Sequence, residues 1–577
     1  MSKNTNSKAN SKNNNSSLKN TNTNSKKTDS KMDSKNTQNR RKEDSNPKKE
    51  KGSSIATALT EGGSLNYRQK KPYVERMTQV FAFIMLALYA LTIGDQYYVN
   101  ITEVKYMWFK WLTIIACGAI LIIFVVGLLD NTIRIPRAKE GNEKFNLAMI
   151  ISIVYLVWAT ISTLASEYEL SELFVGVGRY EGLLSLILYT LIFIIISLWG
   201  EYTDIYVYGI SGMAIIFGLF AMIQLGGGSL FYPEGYSYWD VHFLSTIGNV
   251  DCVSGIAALF VPAMICGFVF LEGKGRFACL PGIFFMSYAF FAGDADSGKM
   301  GMLAAFAVCF VFLFDTREHA KDTMLALAPF TLSLFIYKVY TPAQEGAEFA
   351  FGKMAGASLA ATIILVAGYF ILEKTGWWFK WDAKMMRKVL AIVLLVVIVA
   401  GLIFVFTYNG EIQLLTEAHD MLHGNMSDDA GSGRGYCWKM SVELIKEQPL
   451  LGGGRGSFGN RFYPYNQYYW DHGSNIVFDF AHNDLLQIGV ETGLVGLLIY
   501  IALIGTLAVT ALKTAARYPK VLIFLGGIVG CLGHLFFSFS IAIVTPIMWA
   551  MMGCLNKFIK QVPKIQAPKA EKEKQEA

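Results

Sequence analysis

Charge is what this chain has little of. Asp, Glu, Lys and Arg make up 17% of its 577 residues, against about a quarter in ordinary soluble domains. Strand-type alternation of polar and apolar residues is missing too, which argues against a β-barrel. The eight cysteines do not suggest a disulfide framework. Most of them, including Cys117, Cys266, Cys309, Cys531 and Cys554, fall in apolar runs and read as small apolar residues. Nothing warrants pairing Cys437 with Cys252. Large apolar side chains are almost absent from the first stretch, about 55 residues, where Asn, Ser, Lys and Thr dominate. Such a segment cannot offset its ordering entropy and is expected to be disordered. It also lacks the apolar core of a signal peptide. The net charge of +6 comes largely from this tail. It reads as a solvated basic tail or a contact with anionic lipid, and does not suggest a nucleic-acid partner.

What is present in excess is apolar length. Hydrophobic residues make up 53% of the chain, gathered in runs long enough to cross a hydrocarbon core of about 30 Å as helices. The expected fold is an all-α polytopic membrane protein with about 12–14 transmembrane helices. A long polar loop interrupts it and should carry amphipathic helices. The expected organisation is a disordered basic tail (1–70), the first part of the bundle (71–407), the loop (408–484), C-terminal transmembrane helices (485–560) and a second disordered tail (561–577). The last two spans, 519–537 and 540–558, could also form one re-entrant hairpin.

Alternate loops differ in sign. If the basic tail is cytoplasmic, the loops returning to that side carry Arg134 and Arg137, Lys274 and Arg276, and Arg517 and Lys520. The opposite loops carry Glu167, Glu169 and Glu172, then Asp294 and Asp296, then Glu345 and Glu348. By the positive-inside rule both termini are cytoplasmic and the long loop is extracytoplasmic. A transferase on that face has no nucleotide sugar and needs a donor that already stores its energy, such as a lipid-linked pyrophosphate sugar.

A few cations lie on the outer face against that bias. Arg179 sits in Gly178-Arg179-Tyr180-Glu181-Gly182 and Lys299 in Asp296-Ser297-Gly298-Lys299. Each is either a snorkelling or salt-bridged side chain, or part of a site for an anionic headgroup. In the loop, Arg434 begins an expected amphipathic helix with Trp438, Val442 and Ile445 on one stripe, ending near Gln448 because Pro449 follows. A guanidinium at a helix start adds to the exposed amide donors there, favouring an anion. Gly454, Gly456 and Gly459 form a G-x-G-x-x-G, but no strand–helix–strand unit surrounds it, so the dinucleotide reading fails. A turn that lets backbone approach a ligand fits better, with Arg455 as a further candidate for pyrophosphate. The aromatic run from Phe462 to Trp470 is either an interfacial belt or a platform for sugar rings. His482, just before the span that starts near Leu485, should be neutral and able to accept a proton, as a general base requires. His419 and His423 have i, i+4 spacing, but no third metal ligand is evident.

Taken together, these residues carry a family resemblance. The run Ala481-His482-Asn483-Asp484, with Gln487, Glu491, Gly493 and Gly496, resembles the signature of the O-antigen ligase and polymerase family. So do Gly433-Arg434 followed by Trp438 and Pro449-Leu-Leu-Gly-Gly-Gly, the Gly178–Gly182 turn, Thr246-Ile-Gly-Asn249 and Ser297-Gly-Lys299. The resemblance implies a membrane glycosyltransferase, acting outside the cytoplasmic membrane without metal or other cofactor. It would move a glycan from undecaprenyl pyrophosphate to an acceptor hydroxyl on a glycan, lipid or protein. It implies catalytic roles for His482 and Arg434 and a pyrophosphate contact for Arg179. The second outer arginine of the family is Lys299 here, which keeps the charge but loses the bidentate fork. The Asn249-Val-Asp251 turn also departs from a commoner Asn-Pro-Asn form. Ligase and polymerase differ only in the acceptor, and a polysaccharide or lipid transporter is the reading from another class.

Overall fold

The computed structural model describes residues 67–129, 146–176, 178–226, 228, 230–231, 243–344, 352–471 and 477–576. They lie in one unit, Ser64–Ala577. The expected N-terminal disorder, Arg134 and Arg137, and Glu345 and Glu348 fall outside the described residues.

The chain is a helix bundle. In order, α1 is Tyr67–Phe83, α2 Ile101–Leu129, α3 Leu147–Leu164, α4 Leu170–Val175, α5 Leu183–Trp199, α6 Ile205–Leu225, α7 Val250–Phe270, α8 Cys279–Gly293 and α9 Asp296–Leu313. Then come α10 Arg317–Gln344, α11 Lys353–Thr375, α12 Ala383–Phe406, α13 Gln413–Leu422, α14 Ala430–Glu447, α15 Phe458–Asp471, α16 Asp484–Ala515, α17 Leu522–Leu535 and α18 Thr545–Glu576. Among the described residues 11 helices are long and apolar enough to cross a membrane, and Leu183–Trp199 and Pro519–Leu535 are shorter apolar helices. This is a multi-pass membrane protein, and every span expected from hydropathy falls on a helix. A two-residue hairpin, Phe243–Leu244 with Gly248–Asn249, turns through the Thr246-Ile247 segment.

Short polar side chains start several of these helices. Asn146, Asn249, Asp382 and Asn483 each accept a hydrogen bond from backbone N–H groups in the first turn that follows. Helix α7 is the buried axis, its spanning window wholly enclosed. Glycines let α17 approach it closely: a Cβ on Gly527 would stand 2.3 Å from the carbonyl oxygen of Leu259. At the other extreme none of the α12 window is buried, as an apolar helix facing lipid requires. Helix α18 continues to Glu576, across the segment expected to be a disordered tail. Its Ala, Lys, Glu and Gln residues are strong helix formers, and that preference runs on from the buried part of the helix.

One span differs from its expectation. The stretch read as a continuous helix over 485–512 is broken at Gly493, whose φ of 67° and ψ of 179° are not helical. The turn around Gly452 to Gly454 fills the break. Gly453 and Gly454 donate to the carbonyls of Val490 and Glu491 at 3.0 and 2.8 Å, and Leu494 donates to Pro449 O at 2.8 Å. The indole of Trp158 donates to Thr492 O, and Ser162 to Glu491 O. Freed backbone groups inside a bundle must be met in this way. No side chain fits there: a Cβ on Gly493 would lie 2.1 Å from Leu450 O, and one on Gly452 2.6 Å from the carbonyl carbon of Glu491. The Gly-rich turn is therefore a plug for a helix break.

Candidate functional site

The loop between α12 and α16 is built from three helices and two turns. Helix α14 is nominally Ala430–Glu447, but Gly431, Ser432 and Gly433 all have left-handed backbone, with φ of 59°, 60° and 86°. Regular helix thus begins at Arg434, as expected, and ends at Glu447 before Pro449. Its buried face differs from the expected stripe. Tyr436, Cys437, Ser441, Leu444 and Ile445 are buried, Trp438 is partly buried, and Val442 is exposed. A glycine on α16 lets the two helices meet closely: a Cβ on Gly489 would stand 2.7 Å from Ile445 Cδ1. Arg434 is half-buried and, among the described residues, has no hydrogen-bond or ion-pair partner.

His482 precedes the Asn483 cap of α16. Its backbone is left-handed, with φ of 49°, a conformation non-glycine residues seldom adopt. Its ring lies edge-on to Phe539 at 5.1 Å and to Phe478 at 6.2 Å between centroids. Its Nδ1 is buried without a hydrogen-bond partner. Burial first, then the charge of Arg434, push the imidazole pKa down to about 4; Asp479 opposes this and Arg179 adds to it. The ring is thus neutral near pH 7, as the sequence predicts, with burial and arginine charge as the causes.

Arg179 approaches from the opposite side of the chain. It follows Gly176 and Gly178, both at positive φ, in the turn before α5. Its guanidinium binds Asp479 with two hydrogen bonds, 2.9 Å from Nε and 3.3 Å from a terminal nitrogen. It also lies over the rings of Phe539 and Phe480, 4.8 and 5.5 Å from their centroids. Phe539 is therefore the shared partner of Arg179 and His482. Arg179 also lines an open cavity of about 490 Å³, together with Asn100, Glu103, Tyr180, Asn249 and Cys252. The start of α2 forms part of its wall. His482, Arg434 and Arg179 meet at this end of the bundle.

The two other expected pyrophosphate contacts are ion-paired within the protein. Lys299 is held by its own turn: its Nζ lies 2.8 Å from Asp294 Oδ1 and 2.8 Å from Asp296 Oδ1. Among the described residues nothing joins it to Arg179, Arg434 or His482. Arg455 points into the core instead of into a ligand site. It is paired to Glu491 at 2.8 Å and to Glu181 at 3.2 Å, with its side chain 6% exposed. Tyr189 donates to Glu181 at 2.6 Å, and Gln487 to Glu491 at 2.7 Å. Burial raises the Glu181 carboxyl to about 7, with Arg455 pulling the other way. This clamp ties the Gly-rich turn to α16 and to the start of α5.

The remaining motifs are structural in what they touch. Helix α15 buries Phe458 and Phe462 against Tyr436 and Phe478, while Tyr463 and Tyr468 are exposed. His419 and His423 lie side by side, with ring centroids 4.1 Å apart. Among the described residues no group of three potential metal-ligating side chains forms. Sequence reading missed Asp479, Phe539 and the role of Gln487. Asp479 carries a local signal, since it sits three residues before His482; Phe539, in an apolar run, carries none.

No curated protein matches the chain. Residues 349–501, which hold Arg434, Arg455, His482 and the Gly493 break, match the family model described as O-antigen ligase. Arg179 and Lys299 lie outside that segment. Over residues 349–501 this membrane protein is thus similar to the O-antigen ligase family.

Proposed function

We propose that the protein is an extracytoplasmic glycosyltransferase. It moves a glycan from undecaprenyl pyrophosphate to an acceptor hydroxyl on another glycan, a lipid or a protein. One observation carries the reading: a neutral imidazole with an unmet nitrogen lies in the field of two guanidinium groups, one of them unpaired and the other on the wall of an open cavity. Such a site suits a pyrophosphate leaving group and a hydroxyl nucleophile.

In the reaction His482 accepts the proton of the acceptor hydroxyl. The hydroxyl oxygen forms a bond to the anomeric carbon. The bond between that carbon and the phosphate oxygen breaks, and its electron pair leaves with the lipid pyrophosphate. A single displacement from the opposite face inverts the anomeric centre. Arg434 and Arg179 stabilise the charge on the departing oxygens, a task a divalent cation performs elsewhere, so the step needs no metal. For Arg179 to serve, the phosphate displaces or joins Asp479. Lys299 and Arg455 have no part in this step.

The outward orientation rests on loop charge, and the structure is compatible with it. Arg276, Arg517 and Lys520, expected on one side, line one cavity. A lipid-linked donor with an energy-rich pyrophosphate suits a compartment without nucleotide sugars. Supplying purified protein with lipid-pyrophosphate glycan and candidate acceptors, and weighing the product by mass spectrometry, tests the reading. A new glycosidic product with release of lipid pyrophosphate is expected. Glycan crossing reconstituted vesicles without any product would replace it with transport.

A further inference from the structure

His482 adopts a backbone conformation that needs holding, and the groups that hold it reach back to Arg434. The peptide that enters His482 is fixed at both of the polar groups flanking Ala481. Its carbonyl accepts the indole N–H of Trp438 at 2.9 Å, and the Ala481 N–H donates to Gln487 Oε1 at 2.9 Å. Trp438 stands four residues after Arg434, one turn along the same helix. The helix that presents the unpaired guanidinium thus also grips the chain entering the imidazole.

The orientation of the Gln487 amide is itself determined. Its Nε2 donates to Glu491 Oε1 at 2.7 Å, and the other oxygen of Glu491 is held by Arg455 at 2.8 Å. A carboxylate beside an arginine only accepts, so the amide nitrogen faces Glu491 and the amide oxygen faces Ala481. On the far side of His482, Asn483 accepts from the N–H groups of Leu485 and Leu486 at 3.0 and 3.1 Å. The imidazole is left between two anchored peptides, at φ 49°.

We propose that Trp438 and Gln487 are positioning residues for His482, holding its left-handed backbone so that the imidazole stays between Phe478 and Phe539 and beside the two arginines. This rests on His482 being the base. Neither residue needs to touch the substrate. The charged groups acting on the ring are Arg434 from α14, Arg179 from the turn before α5, and Asp479 from the strand of loop leading to it.

Two variants of the full chain test this in a transfer assay with a lipid-pyrophosphate glycan. Trp438→Phe removes the indole donor and keeps a ring against Phe536 and Phe537. Gln487→Met keeps length and removes both hydrogen bonds. Each is expected to lower kcat by about tenfold, a part of what a general base contributes, with the donor KM little changed. The released imidazole should regain solvent. The acid limb of kcat/KM should then move up from near 4 towards the ordinary 6.5. Combined with His482→Ala, neither variant should cost anything more. Wild-type kcat in Trp438→Phe, an unmoved acid limb, or a further loss in the His482→Ala background overturns the positioning role. If Gln487→Met fails to fold, Trp438→Phe decides the question by itself. Full transfer by His482→Ala alone would instead remove the functional reading on which the proposal stands.

Discussion

Two arginine clusters lie at the same end of this bundle, and their difference separates structure from chemistry. Around Arg455 the charges are matched inside the protein: Glu181 and Glu491 flank it, and Tyr189 and Gln487 complete the carboxylates, leaving Arg455 Nε as the one group of the cluster without a partner among the described residues. Around His482 the matching is incomplete. Arg434 has no acidic partner among the described residues, and the Nδ1 of His482 has none either. A buried network whose charges are paired by its own side chains rigidifies a fold. One left incomplete, with Arg179 on a cavity wall, keeps charge and a ring nitrogen open to a ligand. Arg434 and Arg455 sit in comparable glycine-rich stretches, so only their partners distinguish them.

The largest effects should fall on the incomplete cluster and leave the fold intact. His482→Ala is expected to lower transfer by about 10²–10⁴-fold, the contribution of a positioned base. Arg434→Ala should cost about 10²–10³-fold through lost charge stabilisation. Both variants should express and melt like the parent. The base must be neutral, so kcat/KM should stay level down to about pH 5 and fall as pH passes through about 4. With the donor bound, its phosphates offset the arginine charge that depresses the imidazole. The acid limb of kcat should therefore lie above that of kcat/KM. A lower limb, or identical limbs for His482→Gln and the parent, would detach the titration from this residue.

The complete cluster should respond in the opposite currency. Arg455→Met leaves two buried carboxylates facing each other and should cost about 3–5 kcal/mol of stability, as removal of one buried partner generally does. Loss of folded protein in detergent is the readout. Adding Glu181→Gln and Glu491→Gln should recover much of it, because the orphaned charges go with them. A stable Arg455→Met protein that has lost only donor binding would merge the two clusters into one site.

This contrast was only partly legible in the sequence. Spans were readable because hydropathy over a full crossing is a local property. The start of helix at Arg434 was readable because Gly-Ser-Gly and Pro449 punctuate it at both ends. The Gly493 break was not, since glycine is common in membrane helices and the Gly452–Gly454 turn that fills it is remote from any periodicity. The fate of Arg455 was hidden for the same reason. Its partner Glu181 lies 274 residues earlier, and nothing near either residue announces the other. The stripe on α14 differs because its buried face includes the small Ser441 and Cys437, while the larger Val442 faces out.

A smaller effect distinguishes partial from full pairing. Arg179 is intermediate, held by Asp479 yet 30% exposed and on the cavity wall. Asp479→Asn removes the carboxylate that competes with phosphate. It is expected to lower the donor KM by up to about tenfold, roughly 1.4 kcal/mol, because Arg179 no longer gives up an ion pair to bind. The same change removes the one acidic group that raises the His482 pKa, so the acid limb should shift slightly lower. A raised KM would mean that Asp479 orients Arg179 for the donor and does not compete with it.

The smallest effect is expected at Lys299, where a cation is present but already satisfied. Two carboxylates of its own turn hold it, and the pair is open to solvent, with the Lys299 side chain 46% exposed. Exposed pairs of this kind contribute at most about 1 kcal/mol, and a charge neutralised twice offers little to a third anion. Lys299→Ala should therefore keep transfer within a few fold of the parent, in contrast to Arg434→Ala under the same assay. Asp294→Asn with Asp296→Asn makes the converse test, since it leaves the ammonium unmatched without moving it. If that double variant gains donor affinity while Lys299→Ala loses none, pairing alone sets which cations serve the reaction. If Lys299→Ala is as inactive as Arg434→Ala, the local carboxylates are no measure of a cation's availability, and the distinction drawn between the two arginine clusters loses its basis.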